Sequence, residues 1–153
     1  MKTENGFTLM EILVVVVLLG ILAVIVVPQF SSATMQAQVS ALRKDLQTVR
    51  KQIELYEQQH NENRPAATGE TGNDFEQRMT TQTDADGAPG TDYGPYIERM
   101  PTNPFNNLDT VRVGGAPAGI NAQGWRFDPA TGQFQADDGY DGDSDGVPDH
   151  AAF

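Results

Sequence analysis

The chain has 153 residues, no cysteine and a net charge of −11; this leaves room for one small domain beyond the N-terminal segment and excludes disulfides, thiol chemistry and cysteine zinc sites. The charge is uneven, with five acids and five bases in residues 1–60 but sixteen acids and five bases in 61–153. The C-terminal part therefore repels phosphate backbones and attracts cations, so no nucleic-acid partner is expected.

From Phe7 to Val27 the only charged residue is Glu11, and Ile12 to Val27 is an unbroken run of Val, Leu, Ile, Ala and one Gly. That stretch approaches the ~20 residues needed to cross a hydrocarbon layer as a helix. A chain this small has no core able to enclose an all-round apolar helix, so a membrane segment is expected. A removed secretory signal peptide is the alternative, with Lys2 as its positive charge and Ser31-Ser32-Ala33 as a cleavage site. Against it stand the length of the run and the carboxylate of Glu11 near its start. An acid inside a membrane segment costs roughly 2.5–3.5 kcal/mol on insertion scales and marks a functional residue.

The segment Gly6-Phe7-Thr8-Leu9-Met10-Glu11-Ile12-Leu13-Val14 resembles the cleavage and methylation motif shared by type IV pilins and type II secretion pseudopilins. The resemblance implies a polar leader of Met1 to Gly6, cleavage between Gly6 and Phe7 by prepilin peptidase, and N-methylation of the new Phe7 amine. Glu11 falls on the fifth residue of the mature chain, where the family places an assembly glutamate. Pro28 falls where many members have a kinking proline. Phe7 and Glu11 are four residues apart on one helical face. Glu11 could neutralise the Phe7 amine of a neighbouring subunit in an apolar filament core, or that of its own chain; the family pattern favours the neighbour.

Beyond Pro28, Met35, Val39, Leu42, Leu46, Val49, Ile53 and Tyr56 recur at alternating spacings of four and three. This is one apolar stripe on a helix. The breakers of Asn61-Glu62-Asn63-Arg64-Pro65 should end it. A helix from Phe7 to about Gln59 would be roughly 80 Å long at ~1.5 Å per residue, with a kink or local melting at Pro28. Packing of the stripe under a head domain is favoured over a coiled-coil dimer, because no opposite-charge pattern flanks the seam.

Residues 61–92 are rich in Gly, Thr, Asn, Asp and Gln and read as a long surface loop. Order is expected to return at Tyr93-Gly94-Pro95-Tyr96-Ile97 and to continue through Met100-Pro101-Thr102-Asn103-Pro104 as a rigid strap over the helix. Trp125-Arg126-Phe127, a turn through Pro129 and Gly132, and Phe134 form a hairpin with both rings of its first strand on one face. These rings are read as core rather than as a ligand site. The strap and hairpin motifs also resemble the head of the major type II secretion pseudopilin. The expected fold is α+β: a leader (1–6), a transmembrane or filament-core helix (7–30), its amphipathic continuation (31–60), the loop (61–92) and a small antiparallel β head (93–153).

Asp141-Gly142-Asp143-Ser144-Asp145-Gly146-Val147-Pro148-Asp149 matches the first nine positions of a calcium loop. Carboxylates fall at positions 1, 3, 5 and 9, the Val147 carbonyl at 7, and Gly146 at the sharp turn. Ca2+ ligands are therefore expected from Asp141, Asp143, Asp145, Val147 and Asp149. Ala152 replaces the usual bidentate Glu, so Asp137 or Asp138 would have to complete the shell, and affinity is expected in the ~10⁻⁴–10⁻³ M class. A solvated acidic tail is the alternative. Pseudopilins of the resembled type commonly hold one calcium near the C-terminus, although this run looks more like the calcium repeats of secreted proteins.

Catalysis is not expected, since His60 and His150 are the only histidines and no serine motif stands in a strand–turn–helix context. The resemblance implies a structural subunit of a type II secretion pseudopilus in the bacterial inner membrane, with its C-terminal domain in the periplasm. Implied partners are further copies in a helical filament, prepilin peptidase, the minor pseudopilins and the assembly platform. A type IV pilin and a membrane-anchored calcium-binding protein without a filament role are the alternatives.

Overall fold

The computed structural model describes residues 7–142 and 148–153, and within the long helix it leaves aside the side chains of 25–32. The chain divides into two units, Met1–Ala37 and Gln38–Phe153. Helix α1 (Leu9–Gln59) contributes to both. Its backbone is helical through Pro28, so the melting expected there is absent; the Pro28 side chain lies outside the described residues. The C-terminus falls where the breakers predict. Asn61 and Glu62 adopt left-handed φ angles of 55° and 65°, and the Glu62 N–H donates to the Glu57 carbonyl at 2.8 Å. That bond caps an otherwise orphaned carbonyl of the last turn.

In the second unit, Leu42, Leu46, Val49, Ile53 and Tyr56 are all buried. The stripe works as read from Leu42 onward, whereas Met35 is exposed and Val39 half-buried. Three short strands face it: β1 (Val111–Val113), β2 (Trp125–Phe127) and β3 (Phe134–Ala136), in spatial order β1-β2-β3. The hairpin forms as expected, pairing Trp125 with Ala136 and Phe127 with Phe134. Gly132 closes its turn at φ 78°, its N–H donating to the Asp128 carbonyl at 2.8 Å.

Two expectations need correction. The sheet is mixed rather than antiparallel, because β1 runs parallel to β2, with Val111 opposite Trp125. Residues 114–124 carry the chain back across the sheet, using left-handed Gly114, Gly115, Gly119 and Asn121; parallel neighbours require such a crossover. Between the two rings of β2, Arg126 is buried as well, with Nη1 donating to Gln135 and Nη2 to Asp128. Finally, residues 61–92 are not a surface loop throughout: they contain helix α2 (Gly72–Thr80). A Thr71–Asp74 capping box starts it, and Phe75 and Met79, one turn apart, are fully buried. Phe75 lies at the centre of the core, 4.9 Å from the Phe127 ring and 5.8 Å from that of Phe134. Polar composition concealed this helix because two large side chains suffice to bury nine residues on one face.

The strap is held at several points. The N–H groups of Tyr96 and Ile97 both donate to the Met79 carbonyl at 3.0 Å, and Trp125 Nε1 donates to the Pro101 carbonyl at 2.7 Å. Gly124 is required where the sheet begins, since a Cβ there would lie 2.1 Å from the Leu108 carbonyl oxygen. The tail ends in a 3-10 helix, η1 (Asp149–Ala152), against β3.

Candidate functional site

The bond between Gly6 and Phe7 lies at the edge of the description: Gly6 is outside the described residues, and Phe7 is exposed and precedes the helix. The Thr8 N–H and hydroxyl both donate to Glu11 Oε2 at 2.9 Å, and the Glu11 N–H donates back to Thr8 Oγ1 at 3.2 Å. This reciprocal capping box satisfies two orphan groups and sets the start of α1 at Leu9. Thr8 is thus a functional partner of Glu11 within the chain, beyond the Phe7 amine considered from sequence. The Thr-x-x-Glu spacing is the sequence signal for it.

From Leu9 to Val24 every side chain of α1 is exposed. Among the described residues no helix is long and apolar enough to cross a membrane; the apolar run itself continues to Val27, past the last side chain described in that stretch.

Of the expected calcium ligands, Asp143, Asp145 and Val147 lie outside the described residues, and among those described no group of three acidic or histidine side chains could hold a metal. Asp141 and Asp149 flank the gap. The Gly142 N–H donates to Asp149 Oδ2 at 2.9 Å, and the Asp149 N–H donates to the Tyr140 carbonyl at 2.8 Å. The two ends of the acidic run are therefore fastened to each other.

Asp137 and Asp138, the candidate supplementary ligands, are buried and already engaged. Asp137 accepts from Arg112 Nε and Nη2 at 3.1 and 2.9 Å and from the Gly119 and Ile120 N–H groups. Asp138 accepts from Asn103 Nδ2 at 2.8 Å and from the Tyr140 N–H at 3.0 Å, and its Oδ1 lies 3.1 Å from His150 Nδ1. Asn103 Nδ2 also donates to the Gly124 carbonyl at 2.9 Å. The His150 ring stacks on Tyr140, with centroids 4.6 Å apart, and packs against Phe105. A buried polar network of this kind ties strap, sheet and tail together, and a missing member leaves the others unsatisfied. Sequence spacing carries no signal for it, since Asn103, Asp138 and His150 are far apart in the chain.

His60, the other histidine, is also structural. Its ring stacks on Tyr56 with centroids 3.7 Å apart, Nδ1 lies 2.8 Å from the Tyr56 carbonyl, and Nε2 lies 2.9 Å from Thr83 Oγ1.

Residues 1–27 match the family of the prokaryotic N-terminal methylation motif. The type II secretion system core protein G of Pseudomonas aeruginosa is 31% identical over 106 residues, covering 69% of this chain and 71% of that protein. The protein of the same name from Vibrio cholerae is 32% identical over 107 residues, covering 70% and 69% respectively. A fimbrial protein of Pseudomonas aeruginosa is 48% identical over 40 residues, 26% of each chain. No solved structure matches the chain.

Proposed function

The chain belongs to the type II secretion system core protein G family, and from that membership we propose that it is a structural subunit of a secretion pseudopilus. One observation carries the choice over a surface pilin. The similarity to the core G proteins runs over 106 residues and cannot be confined to α1, which has 51. The fimbrial similarity, over 40 residues, is short enough to lie within that helix.

In this reading prepilin peptidase cuts between Gly6 and Phe7, the Phe7 amine is methylated, and α1 anchors the subunit in the inner membrane with the head in the periplasm. The apolar first half of α1 then leaves lipid for a filament core, with the minor pseudopilins and the assembly platform as partners. Glu11 neutralises the Phe7 amine of a neighbour there, trading part of its capping role at Thr8 for an intersubunit contact. Intact mass of the chain from cells with prepilin peptidase tests the processing. Loss of Met1–Gly6 with gain of one methyl group is expected; an intact leader, or cleavage near Ala33, overturns it.

For the acidic run the reading is calcium, held by Asp141, Asp143, Asp145, the Val147 carbonyl and Asp149. Its support is the alternating spacing and the fastening of Gly142 to Asp149. Asp137 and Asp138 could join only by giving up Arg112 or the Asn103–His150 network. A melting curve that rises with calcium relative to chelator is expected, and one that calcium leaves unmoved removes the site.

A further inference from the structure

A groove of about 470 Å³ runs between α1 and the strap, with Asp45, Val49 and Gln52 on the helix side and Ile97, Arg99 and Met100 on the other. Its walls are preformed, because Met79 and Trp125 anchor the strap through the hydrogen bonds described above. Its floor is apolar, with Val49 and Met100 buried and Ile97 half-buried.

Asp45 is the unusual member. Partial burial pushes its carboxyl above the ordinary aspartate value, opposed by neighbouring Lys44. Among the described residues it has no hydrogen-bond or ion-pair partner, and Arg99 across the groove does not pair with it. A half-buried acid above an apolar floor suits a long basic side chain, whose stem covers the floor while its head meets the carboxylate.

The bases of α1 suggest the source. Arg50 is tied to the Phe134 and Phe153 carbonyls, and Arg43 lies over the Phe153 ring at 4.3 Å. Lys44 adjoins Asp45 in the same chain. Lys51 remains, exposed and without a hydrogen-bond or ion-pair partner among the described residues. At 3.6 residues per turn, Asp45 and Lys51 project about 120° apart around α1. Neither can satisfy the other within one chain, but a neighbour's Lys51 can reach Asp45 across a head-to-tail contact, the kind that propagates into a filament.

We propose that the α1–strap groove is a docking surface for a second copy of this chain, with the neighbour's Lys51 pairing with Asp45. The inference rests on the pseudopilus reading and deepens it. The absence of cysteine gives a clean test. Full-length Thr48→Cys and Leu55→Cys chains place thiols about one helical turn from Asp45 and Lys51 and keep both charges. Co-expressed in secreting cells and treated with a short bismaleimide, they should give covalent dimers that neither gives alone, and dimers no more abundant than in the single strains would overturn the pairing. In a parallel charge swap, Asp45→Lys and Lys51→Asp should each lower the number of fibres at least tenfold, and the double variant should restore it. Fibres of normal number from either single variant, or none from the double, would likewise overturn the pairing. Normal fibres from the singles would leave the pseudopilus reading standing. Asp45→Asn separates docking from folding: the unassembled chain should melt no lower than wild type while its fibres are lost.

Discussion

The two halves of α1 both carry large apolar side chains yet hold them in opposite environments. Large side chains from Leu9 to Val24 are 47–86% exposed, whereas Leu42, Leu46, Val49, Ile53 and Tyr56 on the same helix are at most 3% exposed. The second half needs only one apolar face, because its own chain supplies the sheet, α2 and the strap that cover it. From Leu9 to Val24 the first half is apolar apart from Glu11, and every one of these residues is exposed, a surface that the proposed function places against lipid or other copies. One helix thus folds by intramolecular burial at one end and, in the proposed function, is covered by a membrane or a filament at the other. Changes at its N-terminus should therefore register in assembly, and changes in the head should register in stability.

The sharpest way to break that division is at Glu11. Glu11→Leu should abolish fibres while leaving membrane insertion and leader removal intact. Glu11→Gln keeps an acceptor for Thr8 but loses the charge, so its fibres should fail as well if the charge is what matters. Fibres counted by microscopy, with intact mass as the processing control, decide it; normal fibres from both variants would end the proposed role.

In the head, Phe75→Ala should cost about 3–5 kcal/mol through lost burial and the cavity left beneath Phe127 and Phe134. Denaturant unfolding of the detergent-solubilised chain measures it, and leader removal should be unaffected. A smaller loss, about 1–3 kcal/mol, is expected from Asn103→Ala, which leaves Asp138 Oδ2 without its buried donor and the Phe105 N–H without its acceptor, while the Gly124 carbonyl keeps the Asp137 N–H. If that variant unfolds like wild type, the Asn103–Asp138–His150 network is not what fastens strap to tail.

Where one element suffices to define a feature, the sequence states it. The cleavage and methylation motif, the apolar run, the Leu42–Tyr56 stripe with its stop at Asn61, and the Trp125–Phe134 hairpin all depend on periodicity or turn chemistry within a few residues. The Thr8–Glu11 capping box belongs with them, since its three-residue spacing is readable once the helix start is located. Other features arise only when distant segments meet. Helix α2 is a polar stretch until Phe75 finds the rings of Phe127 and Phe134. The parallel pairing of β1 depends on the path of 114–124, which local pattern does not encode. Asp137 and Asp138, adjacent in sequence and alike in chemistry, face different partners, one an arginine and the other an asparagine and a histidine. Asp45 looks like any exposed acid of a helix until the fold half-buries it at the edge of the groove. The sequence by itself determined the apolar run, the helix and the methylation motif, because each is a property of consecutive residues. Tertiary structure decided which acids are already engaged and which face a groove, because burial and pairing are properties of what the fold brings together.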